Sequence, residues 1–344
     1  MNWTPPDHWL RITSIDAHTG GEPLRIITSG FPELQGSTIL QKRQDARTHY
    51  DHLRRALMWE PRGHADMYGA ILTPPVTPDG DIGVLFLHNE GFSTMCGHGI
   101  IGLVKVGVQT GMFPAEGDTT TIKIDTPAGR VTATAHLQNG QVERVSFLNV
   151  PSFLYQRDLT INVAGLGEIV YDIAFGGAFY AYVDIDQPAL KNVVIDDKHQ
   201  THLIDVGMRI KRAVMSTVPL RHPTGNDDLN FLYGTILVKM LHTEAVHSRN
   251  VCIFAEGEVD RSPTGTGVSG RLAIHHAKGE LTPDETITIE SLIGSSFTGR
   301  VADTVEVGGL SGIIPEVAGT AYITGQHTFL IDPDDPLKDG FILR

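Results

Sequence analysis

The sequence predicts an α+β fold made of two copies of one unit, and three observations predict it. A glycine-rich stretch occurs twice, half a chain apart. Met95-Cys96-Gly97-His98-Gly99-Ile100-Ile101-Gly102 aligns with Pro263-Thr264-Gly265-Thr266-Gly267-Val268-Ser269-Gly270, matching three glycines and an aliphatic residue. The order of elements before each copy is also the same, and it starts again after Asn149. Finally, 344 residues with 41% hydrophobic composition are enough for two ordinary cores.

The elements follow in order. Leu10 to Ile15 and Leu24 to Ile27 read as strands around the polar, turn-rich stretch Asp16-Ala17-His18-Thr19-Gly20-Gly21-Glu22-Pro23. Ser37 to Met58 turns helical and charged, and Pro61 with Gly63 ends it. Strands at Tyr68 to Leu72 and Gly83 to His88 precede the Cys96 helix, whose interior glycines cost roughly 0.5–1 kcal/mol each against alanine. Such a helix needs tertiary enclosure, and small residues suit one wrapped closely by strands. Thr119 to Asp125, Arg130 to His136 and Gln141 to Asn149 are strands, the last two joined by the hairpin signal Asn139-Gly140.

In the second half, Ile169 to Ala174 and Phe179 to Ile185 are strands, and His202 to Met215 is an amphipathic helix. Phe231 to Met240 and Asn250 to Phe254 lead to the Thr264 helix, and Thr286 to Ile323 supplies further strands. The expected domains are residues 1–140, completed by 321–344, and residues 141–320. Each is a curved sheet around a central helix, and the two helix N-termini face one cleft.

The composition removes several classes of function. The 40 acidic residues outnumber 27 basic ones for a formal net charge of −13, with no compensating basic block, so neither nucleic acid nor an anionic membrane is an expected partner. No apolar run approaches the ~18 residues of a membrane span, and Met1 to Leu10 lacks the pattern of a secretory leader, which points to the cytoplasm. Two cysteines make no disulfide framework. Cys252, in the apolar run Val251-Cys252-Ile253-Phe254, reads as a buried inert thiol, which leaves Cys96 as the cysteine with a chemical role.

At a helix N-terminus the first N–H groups are unpaired and the dipole is positive, which favours a bound carboxylate and lowers a thiol pKa. One copy puts Cys96 at that position and the other Thr264. Both copies formally match the dinucleotide fingerprint. That motif needs a strand running directly into the glycines, whereas Asn89 to Met95 intervenes here. Cys96 and His98 lack the paired spacing of a zinc site, so no metal is expected. Glycine packing alone does not account for Cys96, His98 and Asp260 gathering at the mouths.

These residues closely resemble the proline racemase family. The matching pieces are Asp16-x-His18-Thr19-x-Gly21-Glu22-Pro23, Met95-Cys96-Gly97-His98-Gly99 and Asp260-Arg261-Ser262-Pro263-Thr264-Gly265-Thr266-Gly267, in that order and across the whole chain. The resemblance implies two pseudo-symmetric domains of the diaminopimelate epimerase type, no cofactor, and a small proline-like amino acid held between the two mouths. The family's racemases and epimerases carry a cysteine at each mouth. Cysteine followed by threonine is the pattern of its trans-3-hydroxy-L-proline dehydratases, and a threonine hydroxyl cannot shuttle protons as a thiol does.

On this reading Cys96 is the base and Thr264 stands at the second catalytic position. His98 binds the substrate carboxylate or tunes the thiol, with bracing of the loop as the alternative. Asp260 pairs with the ring ammonium, or caps the second helix. Gly97, Gly265 and Thr266 supply hydrogen bonds to substrate. Tyr68, Ile71 and Phe254 line an apolar pocket or belong to the ordinary core. No role follows for His18 or Glu22 beyond shaping their loop. An impaired hydroxyproline epimerase or proline racemase, or a binding protein for proline-like ligands, remains as an alternative, and oligomeric state, a homodimer included, stays open.

Overall fold

The computed structural model describes residues 3–343 apart from 116, 242, 244, 283 and 284; the extreme ends of the expected first domain, residues 1, 2 and 344, lie outside the described residues. The first half runs β1 (Leu10–Thr19), β2 (Glu22–Ser29), α1 (Ile39–His49), α2 (Asp51–Met58), β3 (Tyr68–Thr73), β4 (Ile82–His88), α3 (Gly97–Gln109), β5 (Thr119–Thr126), β6 (Gly129–Gln138) and β7 (Gln141–Leu148). The second half runs β8 (Ser152–Val163), β9 (Gly167–Phe175), β10 (Phe179–Asp184), α4 (Gln200–Thr217), β11 (Leu232–Met240), β12 (Ser248–Phe254), β13 (Glu258–Val259), α5 (Gly265–Lys278), β14 (Thr286–Glu290), β15 (Ser296–Val307), β16 (Leu310–Gly319) and β17 (Ala321–Ile331).

Strand pairing carries the duplication. The parallel pairs β2–β3 and β4–β5 recur as β10–β11 and β12–β14, each parallel crossover being made by one or two helices. In the second half the pairings β8–β9–β10–β11–β12–β14–β15–β16–β8 close a ring around α5. In the first half β1 to β7 run in sequence around α3. That ring is completed by β16 against β7 and β17 against β1, with Thr320 alone between β16 and β17. The fold is therefore α+β, two barrel-like sheets each around a central helix. We propose that the boundary between the units follows Leu148 rather than residue 140, because β7 forms a hairpin with β6.

Enclosure explains the glycine-rich helices. A Cβ on Gly99 would sit 2.4 Å from the Phe86 ring, and one on Gly270 would strike the Tyr182 phenol, so the strands approach closer than any side chain allows. No helix among the described residues is long and apolar enough to cross a membrane.

Three elements differ from expectation. The polar stretch around His18 is strand up to Thr19, and the turn is only Gly20-Gly21, with φ of +59° and +92°, a two-residue hairpin that glycine permits. The helix expected over residues 37–58 breaks at Tyr50, where the polar α1 gives way to α2, which buries Leu53, Ala56 and Leu57. Strand β8 is absent from the sequence reading because register shifts between Leu154 and Leu159 break its alternation.

Candidate active site

The two central helices converge, N-terminus to N-terminus, on one enclosed pocket at the junction of the barrels. It is lined by Cys96, Gly97 and His98 from the first mouth and by Asp260, Thr264, Gly265 and Thr266 from the second, with Tyr68 and Phe254 on its wall. The space is about 20 Å³, room for a single water and less than a five-membered ring needs.

At the first mouth Cys96 is the N-cap of α3, with extended backbone, and its Sγ accepts the Gly99 N–H at 3.3 Å. Its sulfur lies 3.1 Å from His98 Nδ1. Burial pushes the Cys96 thiol well above its ordinary pKa, against the Gly99 N–H and a hydrogen bond from Tyr68, which favour the thiolate. The lowered thiol pKa expected from the helix terminus is thus reversed, because desolvation of the closed site outweighs one amide and a dipole. Burial likewise depresses His98, opposed by nearby Asp260 and by the ring's hydrogen bond to the Pro23 backbone. Both shifts thus favour the neutral forms, thiol and imidazole.

The second mouth is built differently. Thr264 has φ of +65°, a costly conformation for a β-branched residue, and its side chain caps nothing. Instead its hydroxyl donates to Asp260 Oδ2 at 2.8 Å, while Asp260 Oδ1 accepts the Ser262 N–H at 2.7 Å and Ser262 Oγ accepts the Thr264 N–H at 3.1 Å. Asp260 thus ties the loop rather than capping the helix. The first intrahelical donors are Ile100 and Val268, so the N–H groups of Gly97, His98, Gly265 and Thr266 precede both helical ladders.

Strand periodicity separates the wall residues. Tyr68 and Ala70 face α3, whereas Ile71 points to the opposite side of β3, into the core under α1 and α2 with Leu57 and Leu85. Ile71 is therefore not a pocket residue, since neighbouring strand positions alternate faces and Tyr68 sets the parity. Four lining residues escaped the sequence reading: Met95, Tyr180, Tyr233 and Cys252. Cys252 shares its strand face with Phe254, a period-2 signal that could have placed it. It is buried as expected but stands at the pocket wall, and burial raises its pKa well above the ordinary range.

The motif around His18 braces both mouths. Thr19 donates to the His98 carbonyl at 2.9 Å, and Glu22 Oε2 accepts the Arg261 N–H at 2.7 Å, linking β2 to the loop of the other unit. His18 Nδ1 accepts the Gly21 N–H within its own turn. Burial holds the Glu22 carboxyl well above the usual carboxylate range, with Asp260 adding to it.

Paired barrels that aim two helix N-termini, one bearing a thiol, at a shared closed pocket define a protein built for proton chemistry on a small anionic substrate. A sequence model of the proline racemase family matches residues 14–342, and the chain belongs to that family. It is 51% identical over 345 residues to a trans-3-hydroxy-L-proline dehydratase of Colwellia psychrerythraea, covering 99% of this chain and 96% of that one. It is 43% identical to a 3-hydroxyproline 2-epimerase of Burkholderia multivorans, covering 97% and 98%. Among solved structures it resembles a hydroxyproline epimerase of Agrobacterium vitis with bound trans-4-hydroxy-L-proline, with a TM-score of 0.92 and 29% identity over 98% of this chain and 96% of that one.

Proposed function

We propose that the chain dehydrates trans-3-hydroxy-L-proline to Δ1-pyrroline-2-carboxylate. The observation that carries this reading is the chemical difference between the mouths: a thiol beside an imidazole at one, and a hydroxyl already committed to a carboxylate at the other. The name of the 51% identical relative supports it.

The substrate carboxylate sits between the helix N-termini, where the N–H groups of Gly97, His98, Gly265 and Thr266 and both dipoles meet the charge that builds as Cα loses its proton. Asp260, with lone pairs to spare after Thr264 and Ser262, receives the ring ammonium. Met95, Tyr180, Tyr233 and Phe254 enclose the ring. Cys96 acts as the titrated thiolate, with the neutral His98 ring beside its sulfur, and removes the Cα hydrogen. In the trans isomer the 3-hydroxyl lies on the same ring face as that hydrogen, so one mouth serves both bond-breaking events in a syn elimination. The enamine then tautomerises to the cyclic imine. As written, the reaction calls on no cofactor or metal.

The test is turnover of a panel of proline, 3-hydroxyproline and 4-hydroxyproline isomers by the purified protein. Dehydration confined to trans-3-hydroxy-L-proline is the expected result, and binding without turnover of any isomer overturns the reading. A second reading, inversion at Cα, is favoured by one observation: Cys252 lines the pocket on the Thr264 side, where an epimerase places its second proton carrier. Inverted product from a 4-hydroxyproline isomer, lost in Cys252→Ala, would establish it.

A further inference from the structure

The departing hydroxyl needs a proton, and the groups around it narrow the source. His98 has one ring nitrogen against the Cys96 sulfur and a hydrogen bond to the Pro23 backbone, so the imidazole is committed on both counts. Thr264 belongs to the opposite mouth and gives its hydrogen to Asp260. Tyr180 pairs with Thr266 at 2.7 Å, also on the second side.

Tyr68 is placed differently. It comes from β3 of the first barrel, on the same side as Cys96, and its ring meets His98 edge-on at 4.7 Å. Its hydroxyl lies 2.6 Å from Ser93 Oγ and 3.4 Å from the Tyr233 hydroxyl. With Ser93 as the donor, the phenol hydrogen is free to point to the sulfur or into the pocket. Burial keeps the phenol protonated at any ordinary pH, as an acid waiting for a basic oxygen requires. Tyr233 also lines an outer cleft of about 530 Å³ together with Arg43, Arg47, His88 and Phe231, so the hydroxyl row Ser93–Tyr68–Tyr233 runs from the reacting centre to a space that accepts water.

We propose that Tyr68 is the catalytic acid that carries the Cα proton from Cys96 to the leaving 3-hydroxyl, an assignment that rests on the dehydration reading above. The balance closes without a co-reactant. The Cys96 thiolate takes the Cα proton and the electron pair passes into the carboxylate. That pair forms the Cα–C3 double bond as the C3–O bond breaks, and the Tyr68 proton goes to the oxygen, which leaves as water. The phenolate then takes the proton from the Cys96 thiol, restoring both groups.

The experiment compares the wild type, Tyr68→Phe and Ser93→Ala on three substrates. With trans-3-hydroxy-L-proline, Tyr68→Phe should lose at least ~100-fold in dehydration. With trans-4-hydroxy-L-proline in heavy water, which offers no 3-hydroxyl, the same variant loses only the Tyr68 support of the Cys96 thiolate, so deuterium exchange at Cα should fall far less than dehydration does. With trans-3-fluoro-L-proline, whose fluoride leaves without a proton, Tyr68→Phe should lose fluoride release only to the same small extent as Cα exchange, far less than dehydration. Ser93→Ala, which keeps the phenol but frees its orientation, should show the same pattern more mildly, and it carries the test if Tyr68→Phe does not fold. Dehydration by Tyr68→Phe near the wild-type rate overturns the assignment, as does equal loss on all three substrates, which would mark a packing role. A wild type that does not dehydrate trans-3-hydroxy-L-proline at all overturns the function, and the acid assignment with it.

Discussion

Gly97 and Gly265 meet with no room for a side chain on either. A Cβ built on Gly97 falls 2.6 Å from the Gly265 Cα, and one built on Gly265 falls 2.7 Å from the Gly97 Cα. The helix mouths therefore converge because both helices begin with glycine. Gly97→Ala or Gly265→Ala should cost about 1–3 kcal/mol in denaturant unfolding, the usual cost of overpacking, and should depress turnover further by moving the N–H groups off the carboxylate. An alanine variant as stable and active as the parent would mean that the contact does not set the site.

Cys96→Ser should lower dehydration by roughly 10²–10⁴-fold, the range of a lost general base, while leaving the unfolding transition in place. Iodoacetamide should inactivate the wild type, and pyrrole-2-carboxylate, a planar mimic of the deprotonated ring, should protect it. Labelling that ignores saturating mimic would take the thiol out of the site.

The pH profile follows from the raised thiol. Cys96 works as the thiolate, and burial moves its titration above the ordinary thiol value near 8.5. The fraction of thiolate therefore grows with pH, and kcat/KM should climb through and beyond pH 8. His98, depressed by burial, is a neutral acceptor over that whole range and adds no falling limb. Alkylation rate should follow the same curve, and a profile flat from pH 6 to 9 would contradict the assignment.

Cis-3-hydroxy-L-proline presents its hydroxyl on the face away from the Cα hydrogen, toward the Thr264–Asp260 mouth. The Tyr68 phenol does not stand there and the Thr264 hydroxyl hydrogen is already given to Asp260, so dehydration of this isomer should be slower by about 100-fold or more. Comparable initial rates for the two isomers would rule out a syn elimination.

Thr264→Cys should gain epimerisation of trans-4-hydroxy-L-proline, seen as inverted product with solvent deuterium at Cα. The gain should be small. Thr264 sits at φ +65° and hooks Asp260, so the mouths are not equivalent in backbone, and a thiol there begins without the N-cap geometry that Cys96 enjoys. A folded variant that exchanges no deuterium beyond the parent would show that this position is not aimed at the substrate carbon.

The duplication, the two mouths and most of the residues that line the pocket could be read from the chain because they depend on local chemistry: glycine, a thiol and capping-type residues at fixed offsets. Ile71 was misplaced because a strand's parity depends on which neighbour faces the helix. Tyr180 and Tyr233 escape a sequence reading because they reach the pocket from strands outside every motif, and nothing in their own segments distinguishes them from core tyrosines. Glu22 had no visible function in sequence, since its partner, the Arg261 N–H, lies 239 positions away. The thiol pKa was misjudged for a related reason: the dipole is local to the helix, whereas burial is a property of the assembled pocket.

The register that pairs Leu10 with Ile331 has a consequence for biosynthesis. Strand β1 pairs with β2 as it emerges but gains its other neighbour, β17, only once Ala321–Ile331 has been made, some tens of seconds later at about 5–20 residues per second. The second ring can close once β16 emerges, while the first must hold β1 with an unpaired edge until β17 arrives. The half that is made first is thus completed last, and a nascent chain stalled before residue 321 would carry the Cys96 helix inside a wall still open along one side.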